Sequence, residues 1–273
     1  MGISIARLAV SPRARAFVRV RGAEAEALLQ RLVSNDVVAL GIGEACDALL
    51  LTPKARVIAP LRILRRGAED FLLLTEPELG EPVRRHLVRL RLATKAEIEP
   101  EHHESHVVLG EGARALPGVG GIPTDDYGVE AVEVLDAAPD DGRALSEDEL
   151  ELLRIRAATP RWGRELDDRV LPAEAGLIER AVSLTKGCFP GQEPVARLHY
   201  RGHANRSLRV LEWEGEELPP YDAEVRMDDK VVGRVTSATR DRNGRIVALA
   251  YIRREVPEDA ELRVDSSVAR SPA

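Results

Sequence analysis

Two hydrophobic periods alternate along the first two hundred residues, and then one of them disappears. Residues 14–20 alternate apolar and polar like a strand, and AEAEALLQRLV (Ala23–Val33) then sets Leu28, Leu29 and Leu32 at helical spacing. SND (Ser34–Asp36) stops that helix with turn chemistry. RVIAPLRIL (Arg56–Leu64) puts Val57, Ala59, Leu61 and Ile63 on one strand face, and DFLLLT (Asp70–Thr75) follows a turn at Gly67. A second helix is predicted from Leu79 to Leu92, with Pro82 in its first turn and Val83, Leu87 and Leu90 in its stripe. Strand, helix, strand, strand, helix, each helix with one apolar stripe, reads as helices laid on an antiparallel sheet: an α+β unit over residues 1–97.

A second unit is expected over residues 98–204. HVVLG (His106–Gly110) and VEAVEVL (Val129–Leu135) read as strands, separated by the Gly- and Pro-rich loop LPGVGGIPTDDYG (Leu116–Gly128). SEDE (Ser146–Glu149) is a capping box opening a helix that runs to about Ala158 before Pro160 ends it. After Gly202 only short strands remain, with RNG (Arg242–Gly244) as a hairpin turn. Residues 205–273 therefore read as a small β-barrel-like domain, with SSVARSPA (Ser266–Ala273) as a disordered tail.

Composition limits the function classes. The chain has 273 residues, 44% hydrophobic and only 3% aromatic, so its core is aliphatic. A net charge of −7 argues against a general nucleic-acid binder, which needs surplus Lys and Arg on one face. VRRHLVRLRL (Val83–Leu92) reads as a solvated helix face, with anion recognition the lesser alternative. No window approaches the roughly 20 apolar residues of a membrane span, and the first twenty residues lack the apolar stretch of a signal peptide. A soluble, cytoplasmic protein is expected, without nucleic-acid or membrane partners.

Three segments carry candidate chemistry. KGCFPGQE (Lys186–Glu193) holds Cys188, one of two cysteines with Cys46. Glycines near the thiol let backbone amides approach a ligand, and the Lys186 cation would favour thiolate at Cys188. Gln192 and Glu193 add donors and acceptors, so the loop suits a polar heterocycle or a nucleophile; the plain alternative is a small apolar residue in a turn. EHHESH (Glu101–His106) would put His102, Glu104 and His106 on one strand face, as a metal site needs, but a solvated loop is favoured and no metal is expected. RWGRELDDRVLPAEAGL (Arg161–Leu177) offers Glu174, a carboxylate able to take a pair of N–H groups, and Trp162, a ring able to stack; a surface cap and a packing plug are the plain alternatives.

KGCFPGQEPVARLHYRGHANR (Lys186–Arg206) resembles the signature of the YgfZ family, K-G-C-[FY]-x-G-Q-E. These are folate-binding relatives of the aminomethyltransferase, or T protein, of the glycine cleavage system. LVSNDVVAL, LLTPKARVIAPLRIL, RIRAATPRWGRELDDRVLPAEAGL and the C-terminal strands resemble further family segments, so the likeness spans nearly the whole chain. It implies two related α+β units around a central pocket for tetrahydrofolate or a one-carbon derivative, plus the β-barrel. It carries Glu174 over as the pteridine-holding carboxylate and Trp162 as a nearby aromatic, while Gln192 and Glu193 stay candidates of the signature segment, and Arg197, Arg201 and Arg206 after it are offered to the anionic folate tail. Where T proteins have an Asp-Asp pair needed for aminomethyl transfer, this chain has Ala59 and Pro60, neither able to handle a proton. The resemblance thus implies an accessory protein for iron–sulfur cluster assembly or repair, with Cys188 as its functional thiol, Lys186 beside it, and assembly proteins or client enzymes as partners. Two cysteines cannot ligate a cluster in the usual way. The alternative is a folate-dependent aminomethyltransferase using Asp36 or Asp126; a thiol redox protein on a relict fold stands third.

Overall fold

A computed structural model describes residues 8–115, 121–137 and 142–272. The start of the chain and part of the Leu116–Gly128 loop lie outside the described residues. The first sheet has the order β3 (Ala45–Leu51), β4 (Val57–Gly67), β5 (Asp70–Thr75), β2 (Ala16–Arg21), β6 (Glu97–Glu101), antiparallel throughout. Helices α1 (Ala25–Leu32) and α2 (Gly80–Arg91) cover one face. Leu28, Leu29 and Leu32 of α1, with Val83 and Leu87 of α2, meet Val57's strand at Ala59, Leu61 and Ile63 and its neighbour at Phe71 and Leu73. The opposite face buries Leu72 and Leu74 with Phe17 against Ile122 of the second sheet. Burial on both faces explains why β5 is a continuous apolar run instead of an alternating one.

The second sheet has the order β10 (Arg143–Ala144), β1 (Ala9–Pro12), β7 (Ser105–Leu109), β9 (Ala131–Leu135), β8 (Ile122–Thr124). Its strand β1 comes from the beginning of the chain, pairing antiparallel with β7 and parallel with β10. A clean first unit over residues 1–97 is therefore corrected: its opening strand belongs to the other sheet. Helix α3 (Glu147–Arg156) covers this sheet through Leu153. The Ser146 hydroxyl accepts from the Glu149 amide and the Glu149 carboxylate accepts from the Ser146 amide, so the capping box forms as expected.

The third sheet has the order β11 (Arg206–Trp213), β14 (Ile246–Arg253), β13 (Lys230–Arg240), β12 (Glu224–Met227), β15 (Leu262–Val264), β16 (Ser267–Ala269). Glu212 of β11 exchanges both backbone hydrogen bonds with Arg270 (2.8 and 3.1 Å), so the sheet curls back onto its first strand. The expected disordered tail is corrected by the same contact, since β16 forms and Ala269 is fully buried. Seven strands escaped the sequence reading: β1, β3, β6, β8, β10, β15 and β16. β6 is a polar edge strand carrying Pro100, and β3 begins with half-buried residues, so neither shows clean alternation. Two short helices, α4 (Ile178–Ala181) and α5 (Gln192–Arg201), complete the chain.

The helix stripe on α2 sets a direct test. Leu87 is fully buried whereas its neighbour Val88 is 40% exposed. Leu87→Ala is expected to cost about 2–5 kcal/mol of unfolding free energy in urea titrations, and Val88→Ala less than about 0.5 kcal/mol.

Candidate functional site

A cleft of about 520 Å³ opens where the three sheets converge. Its walls come from the β1–β2 turn, β3 at Asp47, β4 at Pro60 and Arg62, the Asp126–Tyr127 loop, α3 at Glu151 and Arg154, and Ala238 of β13. In β4 the residues alternate by strand pleat: Ala59 turns into the first core while Pro60 and Arg62 face the cleft. Cross-strand pairing sets Asp47 opposite Arg62.

The cleft floor is a charge network. Arg62 Nε donates to Asp47 (2.9 Å) and Nη2 to Asp126 (3.4 Å). Arg180, at the end of α4, donates to Asp47 (2.7 Å) and to Asp126 (2.5 Å). Arg15 grips Glu133 with two bonds (2.9 and 3.1 Å), and Arg13 holds Glu76 (2.6 Å). Burial alone would push Asp126 toward its neutral form, but Arg62, Arg180 and Arg15 outweigh it and hold the carboxyl far below the usual range. Burial likewise opposes the charge of Glu133, and Arg15 and Arg62 override it. These carboxylates are fixed anions, and a base whose conjugate acid is strongly acidic is a poor proton acceptor.

On the opposite wall, Arg154 forks onto Glu151 (2.8 and 2.6 Å) and also donates to the Thr159 carbonyl, to Glu165 (2.9 Å) and to Ser237 of β13 (2.8 Å). Ser237 in turn donates to Glu165 (2.7 Å), whose side chain is fully buried. One arginine thereby ties α3, the segment after it and the barrel together at the cleft edge. Two buried polar atoms of cleft residues make no hydrogen bond: Thr159 Oγ1, and Arg62 Nη1, which lies 3.7 Å from Glu133.

Of the residues singled out from the sequence, Asp126 and Pro60 line this cleft, while Glu174, Trp162, Lys186, Cys188, Gln192, Glu193, Arg197, Arg201 and Arg206 lie outside it. Glu174 accepts from the Leu171 amide (3.1 Å) and from Arg206 (3.2 and 3.4 Å), and Arg206 also lies over the Tyr251 ring at 4.3 Å. Glu174, expected to hold the pteridine, and Arg206, expected to meet the folate tail, are thus paired with each other here. Trp162 is half-buried and packs between two core clusters, as a plug does. Gln192 opens α5, while Glu193, Arg197 and Arg201 sit on its exposed face. His103 bridges Glu101 (2.8 Å) and Asp136 (2.6 Å) in a connection outside any strand, so the shared face predicted for His102, Glu104 and His106 does not form. Among the described residues, no three His, Cys, Asp or Glu side chains converge as a metal-binding group.

The signature loop shows an exposed Cys188 and a buried Lys186. The Lys186 ammonium donates to the carbonyls of Val33 and Asn35 (both 2.7 Å), and the Ser183 amide donates to the Ser34 carbonyl (2.9 Å). The expectation that Lys186 stands ready to activate Cys188 is corrected: its hydrogen bonds clamp the loop to the turn after α1. Gly191, at φ +81°, sits where a Cβ would meet the Thr52 carbonyl at 2.6 Å, which is why the motif needs glycine there. Asp36 caps its own turn by accepting from the Val38 and Ala39 amides and stays outside the cleft. Burial, then Asp47, pushes the Cys46 thiol up to about 12, so it stays protonated at neutral pH. The carboxylates of the cleft were legible only as a rival suggestion at Asp126; Arg62, Arg180, Glu151 and Thr159 carried no local signal, because nothing in their neighbourhoods marks convergence.

This constellation, two antiparallel units and a curled barrel around one polar cleft, defines the aminomethyltransferase class of fold. The glycine cleavage system aminomethyltransferase T of Bartonella henselae has the same fold, with a TM-score of 0.82 over 97% of this chain and 84% of that one, at 17% identity. An aminomethyltransferase of Rubrobacter xylanophilus is 30% identical, covering 92% of this chain and 79% of its own. The tRNA-modifying protein YgfZ of Edwardsiella ictaluri is 27% identical, covering 90% and 85%. No family model matches the sequence. The chain belongs to the YgfZ family, related to the T-protein aminomethyltransferases. Among the described residues no helix is long and apolar enough to cross a membrane.

Burial lowers the Lys186 ammonium to about 8, from 10.5 in an unfolded chain. Below pH 8 both states are protonated and the folded state bears the full burial penalty. Between pH 8 and 10.5 the folded state releases its proton first, so this residue's contribution to stability rises with pH and levels off above. Denaturant melts at pH 7 to 10.5 are expected to show wild type gaining on Lys186→Met across that window; a constant difference contradicts the assignment.

Proposed function

We propose that this chain is a tetrahydrofolate-binding accessory protein that supports iron–sulfur cluster assembly or repair in other proteins and does not itself transfer aminomethyl groups. The observation that carries this reading is a ligand-sized cleft whose buried floor carboxylates are all clamped by arginine. Its volume of about 520 Å³ lies within the roughly 300–1,000 Å³ range of small-molecule sites. Arg161 and Arg164 line the rim and fit the anionic tail better than Arg197 or Arg201, which are outside the cleft. A bound folate supplies a one-carbon carrier; Pro60 and the clamped Asp126 supply no general base beside it.

The exposed Cys188 carries the second half of the proposal. With Glu193, Arg197 and Arg201 on the neighbouring exposed face of α5, it forms a surface offered to a protein partner instead of to the folate. A cluster passing through this thiol would be shared with that partner, since one sulfur satisfies one of four ligand positions. We place the protein in the cytoplasm, where such a thiol stays reduced.

The aminomethyltransferase reading retains one specific support, the position of Asp126 within the cleft. Turnover of aminomethylated carrier protein with tetrahydrofolate would reverse the ranking, and calorimetry with tetrahydrofolate separates both readings from a folate-free thiol protein. Cys188→Ala is expected to leave stability within about 0.5 kcal/mol of wild type and to bind folate normally. The same variant should fail to restore iron–sulfur enzyme activity in a strain lacking the protein; full restoration removes the thiol from the mechanism.

A further inference from the structure

We propose that the exposed row of α5 and the neighbouring barrel edge dock an acidic segment of the protein that meets Cys188, an inference that rests on the partner reading of that thiol above. Pro194–Val210 carries four arginines and no Asp or Glu, in a chain with 46 acidic residues. Arg197 and Arg201, one helical turn apart on α5, share a row and are both exposed. The short connection Gly202–Asn205 leads from that row into β11, and the Asn205 carbonyl accepts from the Arg254 amide (3.0 Å). The β11–β14 register sets Arg253 directly opposite Arg206. One apolar cluster holds Phe189, Val195 and Tyr251 together. It packs the residue after Cys188, the inner side of α5 and the strand that carries Arg253 against one another, so the thiol, the arginine row and the barrel edge are neighbours.

These cations are poorly offset within the chain. Arg206 is neutralised by Glu174 (3.2 Å), but the mostly exposed Arg253 has only Glu255 at 3.7 Å. Like charges directly opposite across a strand pair are destabilising, so an anion lying over Arg206 and Arg253 relieves them. Among the described residues, the side chains of Arg197, Arg201 and Arg254 form no ion pair or hydrogen bond. Charge complementarity therefore selects an acidic occupant. The face is not uniformly positive, however. Glu193 begins the row of Arg197 and Arg201, and Glu179 stands 3.9 Å from His199. With Glu255, these carboxylates repel an unbroken phosphate backbone but can meet basic groups on a protein, which carries both signs. The net charge of −7 disfavours RNA in the same way. The arginines steer and orient the partner, and Cys188 makes the contact.

The test is the rate at which Cys188 exchanges with peptides of about ten residues whose single cysteine carries a 2-pyridyl disulfide. One peptide is rich in glutamate, and the other has glutamine at each of those positions. The Cys188 thiolate attacks the peptide sulfur, a peptide–protein disulfide forms, and the departing 2-thiopyridone reports the rate by its absorbance. Cys188→Ala gives the background from Cys46. At low salt the glutamate peptide is expected to react roughly five- to tenfold faster than the glutamine peptide, and the ratio should fall toward one in about 0.5 M salt. The combined Arg197→Glu and Arg201→Glu variant, and Arg254→Glu separately, should lower that ratio; taking it within each protein cancels any change in the thiol's own reactivity. A wild-type ratio near one, or a ratio that the arginine variants leave unchanged, overturns the docking inference and leaves the thiol reading standing. So does a labelled single-stranded RNA that binds wild type and not the arginine variants while the peptide ratio stays near one, since it gives the surface to a nucleic acid. Wild type that reacts with neither peptide faster than Cys188→Ala overturns both.

Discussion

Four arginines and four carboxylates, buried where the first two sheets meet, are the constraint on which the molecule depends. Arg15 and Arg62 stand beside or on the first sheet, Glu133 on the second, Asp126 in the β8–β9 loop of that second sheet and Arg180 in α4. Each charge is tolerable in low dielectric only because the others are there. Removing one partner from such a group typically costs about 3–5 kcal/mol, since it strands the charge left behind. The network therefore fixes how the two units meet, and with that the position of every cleft wall.

The same network governs what the cleft can do. A carboxylate held by two or three guanidinium groups keeps its charge and gives up its basicity. A site built this way recognises polar ligands by fixed dipoles and does little proton transfer. The proposed binding without turnover draws on how the interior is made neutral, and Pro60 at the cleft face adds no proton-handling group. The Arg154 junction adds the third body, as Ser237 and Tyr251 of the barrel both bond to the Glu165 segment. The barrel is consequently a structural wall of the cleft and not an appendage.

Legibility from sequence followed the range of the interactions. The helix stripes of Leu28, Leu29 and Leu32 and of Val83 and Leu87, the capping box at Ser146, and the hairpin at Asn243–Gly244 rest on contacts within a few residues, and they formed as read. The polar edge strand β6 and the transfer of β1 into the second sheet rest on pairing across most of a unit, and they left no local trace. The signature loop was legible as a motif, while its internal roles were not: Lys186 turned out to be a clamp on Val33 and Asn35 across some 150 residues of chain.

By itself the sequence determined the α+β class, the barrel-like end and the family, because period, turn chemistry and a long contiguous motif are local properties. Only the tertiary structure decided which carboxylates share the cleft, that Glu174 pairs with Arg206, and that Arg154 joins Glu151, Glu165 and Ser237. Those outcomes depend on side chains brought together from distant segments, where desolvation and charge pairing are settled by neighbours that no linear spacing reveals.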